Sequence, residues 1–131
     1  GISRIVLSAG LLERKDLIKD RESFRFLEVP LVVTCNAHDG ALRAARFLSK
    51  FGPAIGVEAP GLPDGNGGPL ISLDFSEAAR VGRLHDYLFI QPSKAVQEVN
   101  RAMLANTVFD PEALVKKCHL TAAGSGIFRV N

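Results

Sequence analysis

The sequence predicts an α/β fold, a mostly parallel central sheet with helices on its faces. Three observations carry this expectation. Strand-like apolar segments alternate with amphipathic helical ones along the chain. The segment Pro30 to Asn36 (PLVVTCN) is apolar almost throughout, as befits a central strand covered on both faces. The chain has 131 residues, enough for one hydrophobic core and too few for two. Residues 1–131 are therefore expected to form a single globular domain. An α+β arrangement is the alternative, because the helical patterns at residues 11–28 and 76–85 are weak.

Ile2 to Ser8 is β-branched and apolar and reads as the first strand. Residues 11–28 are dense in charge of both signs, and Leu11 and Ile18 lie seven apart, so the first part suits a surface helix. Phe24 and Phe26 then alternate with polar residues as a short strand or a packed loop. After the strand at 30–36, Asp39 caps a helix from Gly40 to Phe51. Leu42, Ala45 and Leu48 line its apolar side, with Arg43, Arg46 and Lys50 opposite. Gly52-Pro53 ends it, and Ala54 to Glu58 reads as another short strand. Residues 60–69 (PGLPDGNGGP) exclude regular structure and form the one long loop. Leu70 to Phe75 resumes as a strand, Ser76 caps a short helix through Leu84, and Tyr87 to Gln91 reads as a strand. Ser93 caps an amphipathic helix to about Asn106. Asp110-Pro111-Glu112 is a strong helix start, combining a cap, a first-turn proline and an acid by the positive helix end. That helix runs to about Cys118. Gly124-Ser125-Gly126 makes a turn, and Ile127 to Val130 forms a last strand.

Composition excludes several function classes. Apolar residues make up 47% and charged residues 23%, which is ordinary for a globular chain. No stretch approaches the roughly 18 apolar residues that span a bilayer, so no membrane partner is expected. The first residues lack the pattern of a secretory signal, and the start at Gly1 is compatible with a processed terminus. A net charge of +2, no Trp and one Tyr argue against a nucleic-acid partner. Cys35 and Cys118 are too few for a cysteine zinc site, and reduced thiols in a cytoplasmic protein are expected.

No motif names a reaction or a cofactor. The loop at 60–69 lacks the Gly-Lys-Ser/Thr of a P-loop and the Gly-x-Gly-x-x-Gly of a dinucleotide fold. It also fails the calcium-loop pattern, which would place Leu62 and Leu73 where carboxylates are required. What remains is position. In open α/β sheets ligands bind beyond the carboxyl ends of the strands, where the strand order reverses. The expected ends are Ser8, then Cys35 and Asn36, then Glu58, then Asp74, with His38 and Asp39 at the following helix start. The segment TCNAHDG (34–40) is the richest of these. Ser8, Asn36, Asp39 and Glu58 are the candidate ligand contacts, and no metal ligands are assigned. For catalysis, His38 is the candidate acid or base, with Cys35 or Asp74 as partner. Each has a plainer role: Cys35 pointing into the sheet, Asp39 capping a helix, His38 solvating a loop. His85-Asp86 is a poor dyad, because neighbours on an extended chain face opposite sides. Cys118-His119 lacks metal partners in sequence.

Three functions are compatible with this pattern. The first is binding of a small polar or anionic ligand at the carboxyl edge of the sheet. The second is a small enzyme using His38 at the same place. The third is a homo-oligomeric interaction module, suggested by eight Phe and a mean hydropathy of +0.13.

Overall fold

The computed structural model describes residues 4–8, 10, 15–17, 19, 30–49, 54–57, 59, 70–105 and 109–131. Its centre is a five-stranded sheet of β1 (Ile5–Ser8), β2 (Leu31–Cys35), β3 (Leu70–Asp74), β4 (Thr121–Gly124) and β5 (Ile127–Arg129). The spatial order is β1-β2-β3-β5-β4. β1, β2, β3 and β5 are parallel neighbours, and β4 pairs antiparallel with β5. Four helices are labelled here: α1 (Gly40–Ser49), α2 (Tyr87–Ile90), α3 (Lys94–Leu104) and α4 (Pro111–Lys117). Residues 15–17 and 19 are also helical. The α/β expectation holds.

Both faces of β2 are covered, as its composition requires. Successive side chains of a strand point to opposite faces. Val32 joins Ile71 and Leu73 in one cluster, with Leu42 of α1, Val96, Val99 and Met103 of α3, and Leu114 of α4. Val33 faces the other way and meets Leu17 and Ile55. Each fully buried aliphatic side chain contributes about 1.5–3 kcal/mol. The i, i+3, i+7 spacing of Val96, Val99 and Met103 thus makes α3 the main cover of the larger cluster.

The helix-start signals act as expected. Ser93 Oγ accepts the Val96 N–H, and Asp110 Oδ1 accepts the Glu112 N–H with Pro111 at the first helical position. At the far end of α4, His119 takes φ 53° in the left-handed region. There the Leu120 N–H reaches the Val115 carbonyl and closes the helix.

Four segments differ from the sequence expectation. Tyr87–Ile90 is a helical turn rather than a strand. Tyr87 and Leu88 are buried while Phe89 and Ile90 are exposed, a paired pattern that an extended chain cannot produce. Ala54 makes only a bridge, and residues 55–57 turn, closed by the Val57 N–H on the Ala54 carbonyl. Residues 76–84 form successive tight turns instead of a helix, with bonds from Ala78 to Phe75, Val81 to Ala78 and Leu84 to Val81. Thr121–Gly124 is a strand that the sequence does not announce, exposed along its whole length, paired to β5 and bonded at Thr121 Oγ1 by the Asn131 side-chain amide. The long loop at 60–69, Phe24, Phe26 and the helix end at Gly52-Pro53 lie outside the described residues.

One topological point bears on function. Among the parallel strands the order runs β1-β2-β3-β5 without reversing. Among the described strands no such reversal occurs, and so none opens the expected crevice. Any site at the carboxyl edge has to be built by loops.

Candidate functional site

Two loops build over that edge. Beyond β1 and β2, the turn at 54–57 is inserted as a strut. The Gly56 N–H donates to the Gly10 carbonyl and the Gly56 carbonyl accepts the Asn36 N–H, both at 2.8 Å. A Cβ on Gly10 would stand 3.3 Å from Ile55, so the approach there is already tight. Beyond β2 and β3, residues 75–86 fold across the strand ends. The Phe75 N–H bonds the Cys35 carbonyl at 2.8 Å and starts this second loop.

The TCNAHDG segment holds the second loop down. Asn36 is fully buried, and its Nδ2 donates to the Gly82 and Leu84 carbonyls at 2.9 and 3.0 Å. Its Oδ1 accepts the His38 N–H at 3.0 Å. All three bonds are internal, so Asn36 acts as a clamp. The Gly40 N–H donates to the Arg83 carbonyl at 3.0 Å. Asp74 Oδ1 accepts from both the N–H and the hydroxyl of Ser76, and Ser76 Oγ accepts the Ala37 N–H.

Asp39 bonds both the first turn of α1 and a distant histidine. Its side chain is fully buried. Oδ1 accepts the Leu42 N–H at 2.9 Å, capping α1 as expected. Oδ2 lies 2.8 Å from Nδ1 of His85, whose side chain is 46% exposed. With the carboxylate accepting at Nδ1, the hydrogen-bond network assigns the ring proton there. Nε2 is then the basic nitrogen of the neutral imidazole. A buried carboxylate orienting a half-exposed histidine is the pairing that fixes tautomer and direction in general bases.

Comparison with protein-family models, with curated proteins and with solved structures finds no match to this chain.

The residues singled out from sequence are distributed unevenly. Cys35, Asn36, Asp39 and Asp74 come together at the ends of β2 and β3, where Cys35 and Asp74 are register partners. Ser8 is exposed at the end of β1, opposite Thr34. His38 is exposed, and its Nε2 lies 3.9 Å from Glu77 Oε1, a solvated pair of little energetic weight. Glu58 lies outside the described residues. His85 belongs to the cluster, yet in sequence it is weighed only with Asp86. Its partner stands 46 positions earlier, a separation that no local spacing signals. Among the described residues, no group of three or more His, Cys, Asp or Glu side chains converges where a metal ion could sit.

Cys35 is buried beside Asp74. Burial pushes its thiol well above the ordinary value of 9.0, and the neighbouring Asp74 charge and hydrogen bond push the same way. The protonated thiol is a poor nucleophile. Burial also raises the Tyr87 phenol, partly offset by its hydrogen bond to Thr34 Oγ1 at 3.1 Å. In both groups the folded state holds its proton more tightly than the unfolded chain. Their contribution is thus fully present below the ordinary values of 9.0 and 10.0 and is lost as pH rises beyond them. Stability should fall above about pH 9 by up to roughly 1.4 kcal/mol per pH unit for each group. Urea midpoints at about pH 8 and about pH 10 measure this. A Cys35→Ala chain should show the shallower slope, and an equal slope removes Cys35 as a contributor.

Proposed function

We propose that the carboxyl edge of the sheet binds a small polar or anionic ligand, with His85 as its principal contact. The observation that supports this is the pair formed by buried Asp39 and half-exposed His85 at 2.8 Å. The α1 terminus alone is a weaker anchor than its sequence suggests. The Gly40 N–H is taken by the Arg83 carbonyl and the Leu42 N–H by Asp39. The ligand therefore meets side chains first. Arg83 supplies the second contact, since its guanidinium lies by the start of α1, with Nε 3.6 Å from where a Gly40 Cβ would stand. When the ring is protonated, Nδ1 donates to Asp39 and Nε2 is left to donate outward, so imidazolium and guanidinium together suit a carboxylate or phosphate oxygen. Asn36 and Asp39 hold the loop that carries both groups, and Ser8 and His38 are exposed. In an enzyme built on this site, Nε2 of His85 takes the proton, replacing His38 in that role. A cytoplasmic setting suits the two free cysteines.

The test is a titration followed through the histidine ring resonances, using acetate, inorganic phosphate and a nucleoside monophosphate as probes. A saturable shift at His85, larger than at His38 or His119 and lost in a folded His85→Gln chain, is the expected result. If no probe class moves His85 selectively, the proposal fails.

Self-association is a second reading, favoured by Phe47 and Phe89, which are 86% and 84% exposed. Light scattering after size exclusion should find a dimer or larger, weakened in a Phe47→Ser, Phe89→Ser chain. A strict monomer at high concentration removes this reading.

A further inference from the structure

The groups behind the His85 ring hold their charge states near neutral pH. Burial keeps the Cys35 thiol and the Tyr87 phenol protonated well into the alkaline range. Asp39 is buried at the start of α1, where the helix dipole favours an ionised carboxylate, and its Oδ1 already accepts the Leu42 N–H. The ionised form is therefore the one that faces His85, and its Oδ2 holds a proton on Nδ1 at 2.8 Å. Among the described residues Asp39 is the only carboxylate paired with this ring.

The surrounding charges leave the ring to set the outward polarity. In the loop of residues 75–86, Glu77 and Asp86 balance Arg80 and Arg83 in formal charge. His38, on the turn before α1, faces Glu77 instead, and Arg43 of α1 is charged at every pH of interest. An imidazole ordinarily titrates between about pH 5 and 8. Because Nδ1 keeps its proton against Asp39, Nε2 alone changes. In the neutral ring Nε2 turns a lone pair outward and the loop is formally uncharged. In the protonated ring Nε2 turns a donor outward and the loop gains a positive charge. The bond to Asp39 is common to both states, so the change needs no movement of the backbone.

We infer that His85 gates the carboxyl edge by protonation, so that an oxyanion is captured with uptake of a proton and released as the ring loses it. The inference rests on the anion-binding reading of this edge. Against the protonated ring the oxyanion accepts a charge-assisted bond from Nε2 beside the Arg83 guanidinium. Against the neutral ring two lone pairs face each other, and Arg83 alone is left to hold the anion. Asp39 has two parts in the gate: it draws the proton onto the ring, and it aims the titrating nitrogen outward.

The experiment records histidine ring nitrogen resonances of the full chain from about pH 6 to about pH 9. Sulfate and acetate are the probes, because their own charges are constant over that range. Without a probe, Nδ1 of His85 should stay protonated throughout while Nε2 carries the titration. A probe that binds should raise the His85 midpoint, and it should bind at least about tenfold more tightly below that midpoint than above it. A folded His85→Gln chain should bind weakly and equally at both ends of the range. Asp39→Asn turns an amide donor toward Nδ1, which should move the proton of the neutral ring to Nε2 and flatten the pH dependence. Equal affinity on the two sides of the midpoint, or a neutral ring protonated at Nε2 in the unsubstituted chain, overturns the gate and leaves the anion site standing. Binding of neither probe at any pH removes the anion site and the gate with it.

Discussion

Replacing Asp39 with Ala should cost the protein about 2–4 kcal/mol of stability and uncouple His85 from the fold. Asp39 is fully buried and accepts two hydrogen bonds of different origin. Loss of a helix cap costs roughly 0.5–2 kcal/mol, and a hydrogen bond to a charged group contributes about 1.5–3 kcal/mol. The sum is discounted because the half-exposed His85 ring regains water when its partner is removed. Asp39→Asn should retain the Leu42 contact through its amide oxygen and lose roughly half as much. Chemical denaturation of the two chains checks the ordering. Amide exchange at Leu42 separates cap from pair: it should accelerate in Asp39→Ala and stay slow in His85→Gln. A loss below about 0.5 kcal/mol in Asp39→Ala, with Leu42 still protected, would mean the carboxylate neither caps the helix nor orients the ring.

Phe75→Ala should be the most damaging core substitution at the carboxyl edge, at about 3–5 kcal/mol and roughly 10–20 °C in Tm. Phe75 is fully buried immediately after β3, its ring centroid 5.0 Å from that of Tyr87. It joins the sheet to the loop that carries His85, because its N–H also bonds the Cys35 carbonyl. Truncation leaves a cavity beneath the loop and removes the aromatic contact with Tyr87. Phe75→Leu keeps most of the volume and should cost less than half as much. Thermal and urea melts give the magnitude. Because the loop rests on this ring, exchange at Gly82 to Leu84 should rise more than at α3; uniform acceleration across the chain would show that Phe75 stabilises the whole fold without a special bond to the loop.

These two residues show where sequence reading succeeds and where it stops. Asp39 was legible as a cap because its partner, the Leu42 N–H, is three residues away. Ser93 and Asp110 were legible for the same reason. The burial of β2 on both faces was legible from PLVVTCN, because a chain without polar alternation has no face to offer water. Tyr87–Ile90 was not legible: four apolar residues fit a strand or a helical turn equally well. Tertiary burial of Tyr87 and Leu88 alone decides between them.

The candidate site divides in the same way. Local spacing placed Cys35, Asn36, Asp39 and Asp74 at one edge, and the structure brings those four together. It also gives Asn36 a purely internal set of bonds and shuts Cys35 away from water. The histidine bonded to the buried carboxylate is His85, while His38 is exposed, a pairing made across 46 positions.

The α/β class, the central strand and three helix caps follow from the sequence alone. Each depends on residues close in the chain or on the overall polarity of a segment. The unreversed order of the described parallel strands, the two loops that close over the carboxyl edge and the Asp39–His85 pair emerge only on folding. Those features arise from contacts between distant segments. Such contacts are selected by packing and by the need to satisfy every buried polar group, and neither leaves a periodic mark in the chain.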